Sequence, residues 1–71
     1  MLDKKKYPLE NLRGLAGMSQ KELAEKVGLS TWTISMYEKD INKFRAVSHV
    51  KLKEIAKALD VSIEDIFIGE E

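Results

Sequence analysis

The chain has 71 residues, with no cysteine, one histidine and equal numbers of basic and acidic side chains, 12 of each. A chain of this length buries only roughly 60% of its unfolded surface, so it can hold a single small core, and without cysteine it has neither disulfides nor thiolate metal sites. The polar start "MLDKKKYP" and the lack of an apolar run near the roughly 18 residues of a membrane span predict a soluble, cytoplasmic protein.

The charges are unevenly distributed along the chain. Residues 1–47 carry nine Lys or Arg against six Asp or Glu, whereas residues 48–71 carry three against six. An anionic partner is therefore expected to bind the first half. Residues 1–71 are expected to form one domain, in which residues 1–7, with three consecutive lysines, form a flexible basic arm.

Capping residues predict two short helices at the beginning of the chain. Pro8 suits the first turn of a helix that extends to about Ala16. In "SQKE", Ser19 and Glu22 have the spacing of a capping box, in which each side chain bonds the backbone N–H of the other residue. The second helix starts there and is expected to end at Gly28.

A third helix follows after the short connection "GLS". Ser30 caps it and it extends to about Lys39, so the second and third helices are predicted to form a helix-turn-helix. If Ile34 is buried, helical periodicity turns Tyr37 and Glu38 inward with it. The opposite, outward face then holds Trp32, Ser35, Met36 and Lys39.

The second half of the chain is predicted to contain a loop and two more helices. The segment "DINKFRAV", residues 40–47, lacks helical periodicity and is predicted as the loop. Ser48 caps a fourth helix with a clear apolar stripe, and Ser62 caps a short fifth helix in "VSIEDIF". No stretch alternates with the period of a strand, so the expected fold is all-α, a compact five-helix domain. Its predicted core comprises Leu12, Leu23, Val27, Ile34, Leu52, Ile55, Leu59 and Phe67.

The sequence offers no arrangement suited to catalysis or metal binding. His49 has no second His or Cys to act with and is expected at the surface. Ser35 has no neighbouring base in the sequence. The remaining serines are explained as helix caps; they are Ser19, Ser30, Ser48 and Ser62. We therefore predict a protein that is not an enzyme and needs no metal or cofactor.

The stretch "LENLRGLAGMSQKELAEKVGLSTWTISMYE" resembles the phage-repressor (Cro-like) helix-turn-helix family, and "LKEIAKALDVSIEDIF" resembles the last two helices of that family. The resemblance implies a sequence-specific DNA-binding transcriptional regulator, a repressor that occupies operator DNA with helix three, about residues 31–39, in the major groove. Its partners would be double-stranded DNA and a second copy of the chain, at least on DNA. Residues 61–68 hold more apolar side chains than one short helix can bury, so the dimer contact is expected near Ile68.

The resemblance also implies roles for individual residues. The positions that face DNA bases are Thr31, Trp32, Ser35 and Met36. The positions that contact phosphates are Gln20, Ser30, Lys39, Asn42, Lys43 and Arg45. Arg13 and Glu38 match an ion pair that joins helix one to helix three. Because the base-facing set lacks Gln, Asn and Arg, sequence selectivity is expected to be modest or to come from elsewhere.

Two further interpretations of Trp32 and Met36 stay open. A neighbouring loop could cover both side chains as ordinary core. Alternatively, an exposed apolar face could bind a regulatory protein, and the chain would then be an antitoxin-like or anti-regulator interaction module. The effect of salt separates DNA from an apolar protein partner, because phosphate contacts weaken steeply as salt rises.

Overall fold

The computed structural model describes residues 6–69, which form five α-helices and one 3-10 turn and contain no strand. The helices are α1 (Leu9–Leu15), α2 (Gln20–Val27), α3 (Thr31–Lys39), α4 (Ile41–Arg45) and α5 (His49–Leu59), and the 3-10 turn spans Ile63–Asp65. The prediction of an all-α, five-helix domain is confirmed. The helices are not all the predicted ones, because α4 lies in the predicted loop and the predicted last helix is a 3-10 turn.

Local capping builds the pair α2 and α3. The Ser19 hydroxyl accepts the Glu22 N–H at 3.0 Å, and the Glu22 carboxylate accepts the Ser19 N–H at 2.8 Å. At the other end Gly28 adopts a left-handed φ of 71°, which glycine reaches without strain. Leu29 then donates its N–H to the Ala24 carbonyl at 2.9 Å. The chain therefore leaves α2 and enters α3 within three residues, as the sequence predicts.

A lysine of α5 holds the end of α2 in place. Lys51 donates from Nζ to the Val27 carbonyl at 2.6 Å, 24 residues away in the sequence. The same ammonium group lies 2.7 Å from a carboxylate oxygen of Glu54. Carbonyls at a helix C-terminus lack partners within the helix, and a cation there is favoured by the helix dipole. Lys51 therefore stabilises the turn between α2 and α3 from outside the motif.

The segment over residues 40–47 is where the structure departs most from the prediction. Asp40 caps α4, because its Oδ1 accepts the Asn42 N–H at 3.0 Å. Phe44 of α4 is the largest fully buried side chain, and its ring lies 5.2 Å from that of Tyr37, measured between centroids. The prediction of a loop is wrong because burial of Phe44 stabilises a helix too short to show periodicity in the sequence.

One hydrophobic core joins the five helices. Seven of the eight predicted core residues are buried, and the eighth, Phe67, is only half-buried. Ile66 takes the interior position instead, with 1% of its surface exposed. Ile68, expected at a dimer contact, packs half-buried against this core. Within residues 6–69 the buried core residues are Leu9, Leu12, Leu23, Ala24, Val27, Ile34, Phe44, Leu52, Ile55, Ala56, Leu59 and Ile66.

A contact between the two ends of the described chain explains why Ile66 points inward. Tyr7 donates its N–H to the Asp65 carbonyl at 2.9 Å, and its carbonyl accepts the Phe67 N–H at 2.8 Å. These bonds form an isolated parallel bridge that fixes the backbone around Ile66. Tyr7 is therefore part of the folded domain and not of the arm predicted over residues 1–7. Residues 1–5 lie outside the described residues. Within residues 6–69 no helix is long and apolar enough to cross a membrane.

Candidate nucleic-acid interface

Helix α3 has one buried face and one open face. Ile34 is fully buried, whereas Trp32 keeps 70% of its surface exposed. Thr31 is also exposed, and Ser35 and Met36 are half-buried. The alternative in which a loop covers Trp32 as core is therefore wrong. The four predicted base-facing positions lie on one helix, with the largest apolar side chain open to solvent.

The beginning of α3 presents hydroxyl groups. Ser30 accepts the Thr33 N–H on its Oγ at 3.1 Å and thus caps the helix. The two hydroxyl oxygens of Ser30 and Thr33 also lie 2.9 Å apart, within hydrogen-bond distance. The Ser30 side chain is exposed, and the N-terminus of a helix carries partial positive charge. This end of α3 can therefore donate to an anion.

Three helices meet at the carboxylate of Glu38. Arg13 of α1 donates from Nε to Oε2 at 2.6 Å and from Nη2 to Oε1 at 3.2 Å. The third guanidinium nitrogen donates to the Met18 carbonyl at 2.9 Å. The hydrogen bond to Glu38 raises the pKa of Arg13 above its ordinary value. The Glu38 side chain is only 5% exposed, so these hydrogen bonds replace contacts with water that the carboxylate has lost.

Gln20, the first residue of α2, also binds this carboxylate. Its Nε2 donates to Glu38 Oε1 at 2.8 Å. A carboxylate accepts hydrogen bonds and does not donate them, so it turns the amide NH2 group, and not the amide oxygen, toward α3. The second N–H of that group is left for another acceptor. Glu38 therefore orients Gln20, the residue that the resemblance assigns to a phosphate.

The remaining residues predicted to contact phosphates lie at the end of α3 and in α4. Lys39 ends α3, and Asn42, Lys43 and Arg45 belong to α4; all four are exposed. Asn42, Lys43 and Arg45 are thus held on helical backbone and not on the loop that the sequence predicted. The stem of Arg45 packs beside the backbone of Gly69, where an added Cβ would lie 2.8 Å from Cδ of the arginine.

The hydrogen bonds of two residues at the end of α2 and the start of α3 were not predicted. Lys51 was missed because its bond to the Val27 carbonyl spans 24 residues and leaves no local signal. Thr33 was missed although its spacing from Ser30, three residues, is that of side chains that meet at a helix start. Neither residue lies on the predicted outward face, so periodicity could not indicate them.

Two capped helices joined by three residues, the second with an open face, define a helix-turn-helix domain. Residues 9–66 match the family model described as helix-turn-helix. A protein of Methanocaldococcus jannaschii, described as an uncharacterized HTH-type transcriptional regulator, is 41% identical over 66 residues, which cover 93% of this chain and 96% of that protein. No solved structure matches the chain. The chain therefore belongs to the helix-turn-helix family, which confirms the resemblance to phage repressors.

Proposed function

We propose that this protein is a sequence-specific DNA-binding transcriptional regulator that represses by occupying operator DNA with α3 in the major groove. The observation that carries the proposal is the exposure of Trp32, 70%, on a helix whose opposite residue, Ile34, is fully buried. The likeness to an HTH-type transcriptional regulator supports the same function. The exposed basic residues that follow α3 in the sequence add a surface suited to a polyanion.

In this proposal four residues of α3 face the bases. The apolar surfaces of Trp32 and Met36 press against thymine methyl groups, and the hydroxyls of Thr31 and Ser35 bond base edges. A hydroxyl can donate or accept and therefore discriminates less than a bidentate side chain. Selectivity then depends on the shape of the apolar contact at Trp32 and on the deformability of the DNA.

Phosphate contacts flank this face in the proposal. Gln20 and Ser30, at the starts of α2 and α3, donate an amide N–H and a hydroxyl to phosphate oxygens. Cationic and amide side chains from the end of α3 and from α4 bind the backbone further along; they are Lys39, Asn42, Lys43 and Arg45. These contacts set the register of α3 on the duplex and carry the dependence on salt.

We also propose a homodimer, at least on DNA. A recognition helix of nine residues reads too few base pairs to specify one operator. Two copies related by a two-fold axis would read half-sites about 34–36 Å apart, one turn of the duplex. Sedimentation of the protein on a two-half-site operator should give a 2:1 complex. A 1:1 complex at saturation would contradict the dimer and leave DNA binding intact.

The test of DNA binding begins with selection of bound sites from random duplexes. Affinity for the selected site is then measured against salt concentration for the native protein and for Lys43→Ala, Arg45→Ala and the control Lys53→Ala. Lys53 is exposed on α5 and is not assigned to DNA. We expect the slope of log affinity against log salt to flatten by about 0.9 for each lost contact and to stay unchanged in the control. No selected site, or a flat slope, would contradict the function.

The exposure of Trp32 also favours a second candidate. An antitoxin-like or anti-regulator module would bind a regulatory protein partner through Trp32 and Met36. Such a contact neutralises no phosphate, so its affinity would hardly change with salt. The salt titration on DNA therefore separates the two candidates even before any protein partner is identified.

A further inference from the structure

The hydroxyl groups of Ser30 and Thr33, at the start of α3, each have a single proton to donate. The Ser30 oxygen carries one proton and two lone pairs, and one lone pair already accepts the Thr33 N–H at 3.1 Å. The second bond, 2.9 Å long, joins the two hydroxyl oxygens, and either one can supply its proton. The direction of this bond decides what Ser30 can offer to a ligand.

The two directions have opposite consequences. If Ser30 donates to Thr33, its proton is used and only a lone pair faces outward, which repels an anion. If Thr33 donates to Ser30, both Ser30 lone pairs are filled and its proton must point elsewhere. The exposed Ser30 hydroxyl is then a pure donor. A phosphate oxygen can only accept, so it selects the second direction.

We propose that Thr33 is a positioning residue for DNA binding: its hydroxyl donates to Ser30 and thereby turns the Ser30 proton toward a DNA phosphate. This inference rests on the proposed function and adds a residue outside the base-facing and phosphate-contacting sets. Thr33 itself touches no DNA in this arrangement. It lies half-buried within the first turn of α3, whereas Ser30 lies at the exposed end.

The experiment compares two substitutions of Thr33. Thr33→Val removes the hydroxyl and keeps the shape of the side chain, and Thr33→Ser keeps the hydroxyl. Affinity is measured for the selected site and for duplexes in which each phosphate in turn is replaced by a neutral methylphosphonate. Thermal unfolding establishes that each variant is folded, and Thr33→Ala provides a second variant without hydroxyl if the valine is poorly accommodated.

We expect Thr33→Val to bind the selected site about threefold to tenfold more weakly than the native protein, and Thr33→Ser to bind nearly as well as the native protein. At one methylphosphonate position the difference between the native protein and Thr33→Val should vanish, because the acceptor for the Ser30 proton is altered there. If the role of Thr33 were purely structural, Thr33→Val would weaken binding to every duplex by the same factor.

Three results would overturn the inference. They are a native affinity for Thr33→Val, equal weakening by valine and serine, and a valine defect that is the same at every methylphosphonate position. If these occur while Lys43→Ala still flattens the salt slope, the proposed function stands and only the role of Thr33 falls. If the native protein binds no DNA, both proposals fall together.

Discussion

Arg13 and Glu38 lie 25 residues apart in the sequence and are joined by two hydrogen bonds, of 2.6 and 3.2 Å. The Glu38 side chain is 5% exposed, so loss of the guanidinium would leave a nearly buried charge with Gln20 as its remaining side-chain partner among the described residues. Such a charge is costly, because the interior does not replace the water it has lost. The pair therefore joins α1 to α3, at the carboxylate that also binds Gln20 of α2.

Substitution of Arg13 should destabilise the protein more than loss of a surface ion pair. We expect Arg13→Ala to lower the free energy of unfolding by about 2–3 kcal/mol, because Glu38 is left partly desolvated. Glu54→Ala is the matched control, since it breaks a more exposed pair with Lys51 and should cost about 0–1 kcal/mol. Urea unfolding followed by circular dichroism measures both. Equal costs for the two variants would remove the special status of the Arg13 pair.

Trp32 should determine sequence preference and leave the salt dependence unchanged. Trp32→Ala removes an exposed side chain, so the fold should be kept while affinity for the selected site falls and base preference changes. The slope against salt should match that of the native protein, because no phosphate contact is lost. Site selection and salt titration on the variant measure both effects. An unfolded variant, or one with unchanged base preference, would argue against a base contact.

Phe44 should contribute far more to stability than Phe67. Phe44→Ala empties a fully buried site and should cost about 3–5 kcal/mol, a large part of the stability of a small domain. Phe67→Ala removes a half-buried ring and should cost clearly less. Thermal unfolding of both variants ranks them. The reverse order would restore Phe67 to the core and contradict the position of α4.

Asp60 holds an unfavourable backbone conformation at the end of α5. Its φ of 60° and ψ of 42° are left-handed, and its carboxylate lies at the negative end of the helix dipole. Asp60→Gly should therefore raise the free energy of unfolding by about 0.5–1 kcal/mol, even after the entropy cost of glycine. Asp60→Ala separates the two effects, since it removes the charge and keeps the Cβ. A lower melting temperature for the glycine variant would contradict backbone strain at this position.

Local signals in the sequence predicted the helix-turn-helix well. The structure of the second half of the chain depends on contacts between residues that are distant in the sequence, which the sequence does not show. The capping box of Ser19 and Glu22 and the left-handed Gly28 act within a few residues, so the sequence shows them directly. Phe44 is buried by helices that arrive from elsewhere, and α4 is too short for its pattern to indicate this. Ile66 and Phe67 are neighbours of similar hydrophobicity, and the bridge to Tyr7 decides between them.

The sequence predicted the outward positions of α3 and, through the resemblance, the pairing of Arg13 with Glu38, but not the other hydrogen bonds between these helices. The outward positions of Trp32 and Lys39 follow from helical periodicity once Ile34 is placed inside. The sequence did not show that Gln20 also bonds Glu38, because that contact joins different helices. Hydrogen-bond networks between elements need the tertiary structure, and they determine which atoms of a predicted contact residue remain available.

The bridge between Tyr7 and the segment after the 3-10 turn makes the two ends of the fold cooperative. Because Phe67 donates its N–H to the Tyr7 carbonyl, neither segment can detach from the domain without breaking this bond and freeing the other. The amide protons of both residues should therefore exchange with solvent through the same opening event and show similar protection factors. A protease that cuts near either end would loosen both, and a protein fused at either end would start from the same edge of the domain.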